Sequence, residues 1–130
     1  MSMITENVAQ IRSRIAAAAR AAGRAAADIR LCAATKMHDS AAVREAIAAG
    51  VDCCGENRVQ ELVKKLDEHA YDGAPVHFIG ALQRNKVRQV VGQVDVIESV
   101  DRRELLADIN AEAAKRGIEQ ENLLKINAGA

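Results

Sequence analysis

The feature that most constrains this sequence is a regular alternation of short apolar runs with longer segments of helical periodicity. The apolar runs predict five strands, at residues 30–35, 51–54, 76–79, 94–100 and 123–126. The segments with apolar residues three or four positions apart predict helices at residues 4–22, 41–49, 59–66, 83–91 and 103–115. Strands that alternate with helices indicate a parallel α/β fold with right-handed crossovers. The alternation alone does not distinguish a β/α barrel from an open doubly wound sheet.

The length of the chain favours a single domain that spans residues 1–130, and no linker interrupts it. A complete eight-unit β/α barrel needs about 250 residues. A barrel built from this sequence would therefore contain about the first five strands. Its open sheet edges and uncovered apolar side chains lead us to expect self-association.

The composition excludes some classes of function. Hydrophobic residues make up 49% of the chain, but only Tyr71 and Phe78 are aromatic. The 18 Lys and Arg residues balance the 18 Asp and Glu residues, so the formal net charge is zero. A nucleic-acid binder would need a basic surface and aromatic stacking platforms, and the sequence predicts neither. The sequence also contains no apolar run long enough to predict a membrane span.

The three cysteines, Cys32, Cys53 and Cys54, form no C-x-x-C motif, and two of them are adjacent. This arrangement is unfavourable for an internal disulfide, so we predict that all three are reduced. Cys53 and Cys54 are interpreted as small buried hydrophobic residues. Reduced thiols favour a cytoplasmic location.

Lys36 follows directly after the apolar run at residues 30–35. Next comes a short polar segment in which Asp39 or Ser40 can cap the following helix. In β/α barrels and open α/β sheets, the carboxyl ends of the strands are where ligands bind. A lysine in that position can attack an aldehyde as the neutral amine and form a Schiff base. The alternative is a lysine that simply extends from the strand end into solvent.

Other polar residues also lie near predicted strand ends, and in a barrel they would converge with Lys36 on one rim: Glu56, Asn57, Ser99 and Asn127. For Asn57 the alternative is a loop side chain or helix cap. His77 lies within an apolar run and is interpreted as a hydrogen-bonded core histidine.

Known motifs for nucleotides and metals are missing from the sequence. It contains neither G-x-G-x-x-G nor G-x-x-x-x-G-K-[ST], so nucleotide binding loses its usual support. The three histidines are scattered and form no recognisable ligand motif, so no metal site is predicted.

Three segments, in order, resemble the motifs of the YggS-like pyridoxal phosphate homeostasis proteins. They read AATK at residues 33–36, GENRVQE at residues 55–61 and HFIGALQRNK at residues 77–86. The resemblance extends over essentially the whole chain. It implies a barrel like the N-terminal domain of alanine racemase, with pyridoxal 5'-phosphate (PLP) attached to Lys36 as a Schiff base and Asn57 near the cofactor ring.

The same resemblance implies a PLP carrier in cofactor homeostasis more than an enzyme, with PLP-dependent apo-enzymes as recipients and no catalytic residue assigned. Two features differ from the family. Its members often have a proline shortly after the lysine, where this chain has Met37 and His38. The family's phosphate-binding segments lie in the second half of the barrel, so we expect this chain alone to bind the cofactor weakly.

Two alternatives to the carrier remain. The first is a PLP-dependent amino-acid racemase of related fold, which needs a second acid/base residue opposite Lys36 to exchange the α-proton of the substrate. The sequence offers no evident candidate for that residue. The second is a truncated structural fragment that binds no cofactor, in which Lys36 is merely solvated.

Overall fold

The computed structural model describes residues 2–129, and its strands form one parallel sheet. The five strands are β1 (Cys32–Ala34), β2 (Cys53–Glu56), β3 (Val76–Phe78), β4 (Val96–Val100) and β5 (Glu121–Leu124). Each strand pairs in parallel with the next one along the chain, in the order β1-β2-β3-β4-β5. A doubly wound sheet reverses its strand order at a switch point, whereas a barrel adds each strand to the same side. The sheet therefore represents about the first five strands of a parallel β/α barrel, as predicted.

Five helices accompany the strands: α1 (Met3–Ala21), α2 (Ser40–Ala49), α3 (Val59–Asp67), α4 (Val87–Val90) and α5 (Arg103–Arg116). Asp39 caps α2 by accepting a hydrogen bond from the backbone N–H of Ala42. Gly50 ends the same helix with a φ of +107°, a conformation that glycine adopts without a steric penalty. No helix of residues 2–129 is long and apolar enough to cross a membrane.

The hydrophobic core lies between the helices and one face of the sheet. Phe78 and Ile97 of the strands and Leu62 and Ile109 of the helices are fully buried or nearly so. Side chains of a strand alternate between the two faces, so the residues between these core positions lie on the opposite face, called the inner face below. Each side chain of a strand therefore lies either on the helix side of the sheet or on the inner face.

The second strand lies two residues later than predicted. The apolar run ends at Cys54, which led us to expect a strand at residues 51–54. The strand instead spans Cys53–Glu56, because the polar Glu56 is fully buried and its Oε2 accepts hydrogen bonds from partners distant in the sequence.

The fifth strand lies two residues earlier than predicted, at Glu121–Leu124 instead of residues 123–126. The side-chain amide of Gln120 donates to the carbonyl of Val94 at 3.2 Å and accepts from the N–H of Gly92 at 2.8 Å. These bonds anchor the chain just before the strand. The strand therefore begins with polar residues that an apolar run does not reveal.

The prediction of one continuous helix at residues 83–91 is wrong. The structure has a 3-10 turn at Arg84–Lys86 followed by the short α4. Lys86, with φ −111° and ψ 1°, departs from helical geometry and separates the two segments.

Asp52 ties three parts of the chain together. Its carboxylate accepts a hydrogen bond from the backbone N–H of Leu31 at 2.5 Å and one from Arg12 of α1 at 2.7 Å. The bond from Leu31, followed by that from Arg12, holds the pKa of Asp52 below its usual range. The first helix is thereby attached to the loops that precede β1 and β2.

Gly80 allows two strand ends to approach each other. A Cβ atom at Gly80 would lie 2.2 Å from the backbone oxygen of Asn57 and 2.8 Å from its Cα. No side chain fits at that distance from a backbone. Glycine is therefore required here because the segments that follow β2 and β3 are in direct contact.

We predict that Asp52→Asn reduces the loss of stability on acidification. A carboxyl group whose folded pKa is depressed contributes stability above its unfolded pKa, about 3.9, and loses it as the pH falls through the folded value. The free energy of unfolding, measured in urea at about pH 6 and about pH 3, should fall less in the variant than in the wild type. Asp67→Asn, which changes an exposed residue at the end of α3, is the control. Equal losses in Asp52→Asn and the wild type would contradict this role.

We predict that Gly80→Ala destabilises the fold, because the new methyl group must push the backbone of Asn57 away. Overpacking of this kind costs about 1–3 kcal/mol. Urea unfolding measures the loss, and Gly129→Ala is the matched control, since a Cβ there would meet nothing nearer than Asn127 Oδ1 at 3.9 Å. The contact between Gly80 and Asn57 would be unimportant if both variants were equally stable.

Candidate functional site

Lys36 lies two residues beyond the end of β1, at the carboxyl edge of the sheet, and is exposed. Thr35 directs its hydroxyl toward the buried helix side, where it donates to Glu56 Oε2 at 2.8 Å. If the alternation of β1 continues beyond Thr35, Lys36 is expected on the inner face. This is the face that a barrel closes around.

Asn57 occupies the equivalent position after β2. The register pairs Ala34 with Gly55, so Lys36 and Asn57 are each two residues beyond a paired position on neighbouring strands. Asn57 Oδ1 is buried and accepts no hydrogen bond from any residue that the structure describes. A buried acceptor without a partner is costly, which makes this oxygen a candidate contact for a bound group.

Glu56 does not lie on the rim with these residues. It is fully buried on the helix side, where its Oε2 accepts hydrogen bonds from Lys65 Nζ at 2.9 Å and from the Tyr71 hydroxyl at 2.7 Å. The side chain of Lys65 is also almost fully buried. Burial, followed by the hydrogen bond to Glu56, raises the pKa of Tyr71 above its usual range, so the phenol remains a donor. The expectation of Glu56 at the rim is wrong because alternation turns it toward the helices.

Ser99 and Asn127 are also separate from Lys36. Ser99 is buried within β4, and its hydroxyl has no hydrogen-bond partner among residues 2–129. Asn127 is exposed three residues beyond β5, and its Oδ1 accepts from the N–H of Gly129 at 3.3 Å. Of the four polar residues predicted to converge with Lys36, only Asn57 takes an equivalent position.

A second polar pair on the inner face was not anticipated. His77 Nδ1 lies 2.6 Å from Glu98 Oε1, and both side chains are partly exposed. The register pairs His77 with Gly55 and Gly55 with Ala34, which places the pair on the inner face, where Lys36 is also expected. His77 is hydrogen-bonded, as predicted, but the predicted core position is wrong, because the side chain is partly exposed on the inner face. Its partner depends on the alignment of β3 with β4, which no local pattern reveals.

The thiols of Cys32 and Cys54 are poor nucleophiles at neutral pH. All three are free thiols, and Cys53 and Cys54 are buried, as predicted. Burial raises the pKa of Cys54 to about 11, and removal of the thiol from water, together with a hydrogen bond to Cys53, raises that of Cys32 to about 12. The thiolate is the reactive form, so these groups remain unreactive at pH 7.

The chain is similar to known proteins over most of its length. Residues 5–130 match the family described as the alanine racemase N-terminal domain. A pyridoxal phosphate homeostasis protein of Aquifex aeolicus is 37% identical over 124 residues, which are 95% of this chain and 54% of the relative. One of Pseudomonas aeruginosa is 46% identical over 102 residues, 78% of this chain and 44% of the relative. The chain spans about half the length of the curated relatives it matches.

A solved structure agrees with these relatives. PipY of Synechococcus elongatus, determined with PLP bound, has a TM-score of 0.82 and 34% sequence identity and covers 98% of this chain. The aligned region is 56% of the PipY chain. The family match and the sequential parallel sheet confirm the resemblance drawn from the three motifs. This chain belongs to the alanine racemase N-terminal domain family, and within that family it is similar to the pyridoxal phosphate homeostasis proteins.

Proposed function

We propose that this chain provides the lysine-bearing part of a PLP-binding protein in cofactor homeostasis, and that Lys36 holds the cofactor as a Schiff base. The observation that carries the proposal is the position of Lys36 at the carboxyl end of β1, next to the strand end that bears the unpartnered Asn57 Oδ1. The names of the relatives and the PLP-bound PipY structure support the choice of cofactor.

The chemistry requires only Lys36 and the aldehyde of the cofactor. The neutral amine at Lys36 Nζ attacks the aldehyde carbon and forms a carbon–nitrogen bond. The carbonyl oxygen would then leave as water with both hydrogens of the amine nitrogen, and a carbon–nitrogen double bond would remain. Hydrolysis reverses both steps and releases the aldehyde unchanged, which is what a carrier needs.

Asn57 is proposed as the neighbour of the cofactor ring. Its amide oxygen is buried without a hydrogen-bond partner in the part of the chain that the structure describes, and its backbone lies close to Gly80. A polar group on the cofactor would supply the missing hydrogen bond. The two site residues thus have separate roles, with Lys36 as the covalent tether and Asn57 as a polar contact.

We further propose that PLP-dependent apo-enzymes receive the cofactor in the cytoplasm, where thiols remain reduced. The free cysteines of the structure support this location. Leu123, Leu124 and Ile126, on and after β5, are exposed large hydrophobic residues. They support the proposal that the chain self-associates, because association would remove their apolar surface from water.

We predict that PLP attaches to Lys36 and to no other lysine. Borohydride reduction in the presence of PLP, followed by peptide mapping, should place the phosphopyridoxyl label on Lys36, and Lys36→Ala should abolish the label. Lys64→Ala, which removes an exposed lysine of α3, is the control and should retain it. A label on Lys86 or Lys125 with Lys36 unmodified would refute the assignment.

We predict that Asn57→Ala leaves the fold intact but weakens PLP retention. Loss of one neutral hydrogen bond, worth about 1 kcal/mol, corresponds to an increase in Kd of about fivefold. Spectroscopic titration with PLP measures the affinity, and far-ultraviolet circular dichroism checks the fold. An unchanged Kd would show that Asn57 does not contact the cofactor and is only a loop residue.

A further inference from the structure

The backbone on both sides of Lys36 is held by one helix, α3. We propose that Glu61 and Lys65 of this helix are positioning residues that fix the Lys36 turn for reaction with the cofactor aldehyde. We call this pair the α3 bracket. The inference rests on the proposed function of Lys36, because it concerns how that lysine is presented.

Lys65 holds the peptide that precedes Lys36. Its Nζ donates to the backbone carbonyl of Thr35 at 2.7 Å, and this carbonyl also accepts from the N–H of His38 at 3.2 Å. Lys65 is only 4% exposed. A hydrogen bond from a buried ammonium group is stronger than one between neutral groups, so the Thr35 carbonyl is firmly oriented.

Glu61 holds the residue that follows Lys36. Its Oε1 accepts a hydrogen bond from the backbone N–H of Met37 at 2.9 Å. Met37 has a φ of +65°, an unfavourable conformation for a residue with a side chain. The residue is 81% exposed, so packing of its own side chain does not hold it there. The bond to Glu61 therefore helps to maintain a turn that the sequence would not otherwise favour.

The two contacts belong to one rigid element. Glu61 and Lys65 are one helical turn apart, with Lys65 Nζ 3.8 Å from Glu61 Oε1. Helix α3 begins at Val59, two residues after Asn57, so the same helix that holds the Lys36 turn also follows the Asn57 strand end. The bracket thus fixes the two site residues relative to each other.

The burial of charge is consistent with this role. Replacing a buried ion pair with apolar residues of similar size is often neutral or stabilising, so stability alone does not explain why Lys65 and Glu56 are charged. Glu56 Oε1 even lacks a hydrogen-bond partner in the described part of the chain. An apolar side chain in place of Lys65 could not donate to the Thr35 carbonyl. The role of Lys65 in orienting the Thr35 carbonyl therefore explains why Lys65 and Glu56 are charged.

A fixed turn should increase the rate and strength of covalent attachment. Reaction is fastest when the attacking group is already oriented, because less conformational freedom is lost on reaching the transition state. Without the bracket, the Lys36 turn can relax away from the conformation that Met37 now adopts. Lys36 would then react as an ordinary exposed lysine.

The test compares four variants of the 130-residue chain: Glu61→Ala, Glu61→Gln, Lys65→Met and Glu45→Ala. Glu61→Ala removes the acceptor for the Met37 N–H, whereas Glu61→Gln keeps an oxygen in the same place. Glu45→Ala is the matched control, because Glu45 is an exposed acidic residue of α2. Lys65→Met removes the second contact, and since it leaves Glu56 without its counter-ion, the conclusion rests on the Glu61 variants if it does not fold.

Two measurements are made on each variant. The first is hydrogen exchange of the Met37 amide, which reports the bracket without any cofactor. The second is the labelling ratio, defined as the rate at which borohydride traps PLP on Lys36 in the variant divided by the rate in the wild-type chain. Loss of one charge-assisted hydrogen bond should make Met37 exchange about tenfold faster and lower the labelling ratio about tenfold in Glu61→Ala. Glu45→Ala should stay within about twofold of the wild type on both measures, and Glu61→Gln, which keeps a neutral hydrogen bond, should lie between the wild type and Glu61→Ala.

The outcomes separate this inference from the proposed function. Unchanged Met37 exchange in Glu61→Ala overturns the bracket, whatever the labelling shows. Faster exchange with an unchanged labelling ratio makes Glu61 a structural residue only, which also overturns the inference and leaves the proposed function intact. A wild-type chain that takes no label at Lys36 refutes the proposed function, and the bracket then loses its role toward the cofactor.

Discussion

The buried carboxylate of Glu56 is the interaction on which the candidate site depends. It lies on the helix side of the sheet and joins Thr35 at the end of β1, Lys65 on α3 and Tyr71 in the loop before β3. Each partner satisfies a charge or a polar group that would be costly to bury alone. The carboxyl ends of the first two strands are therefore stabilised by hydrogen bonds on the helix side of the sheet, opposite the candidate site.

In this arrangement, the residues that stabilise the strand ends differ from the residues that are proposed to bind the cofactor. Residues that alternate toward the helices, such as Thr35 and Glu56, take part in the buried network. The next residues along the chain, Lys36 and Asn57, lie at the strand ends and are the residues proposed to contact the cofactor. Adjacent positions in the sequence thus have opposite roles, because successive side chains of a strand point to opposite faces.

Predictions from the sequence succeeded where the signal was local. The Asp39 cap, the end of α2 at Ala49 and the position of Lys36 after a strand all depend on residues within a few positions of one another. Two strand boundaries were wrong where polar residues are held by distant partners. Glu56 extends β2 because Lys65 and Tyr71 satisfy it, and β5 begins early because of the contacts of Gln120.

The sequence by itself determined the alternation of strands and helices, the family motifs and the lysine at a strand end, since these follow from periodicity and spacing along the chain. Only the tertiary structure decided that the strands lie in sequential order, which favours a barrel over a doubly wound sheet. It also decided the pairing of His77 with Glu98 and the contacts of α3 with the Lys36 turn. These features depend on register and packing between segments remote in sequence, and such contacts leave no local pattern.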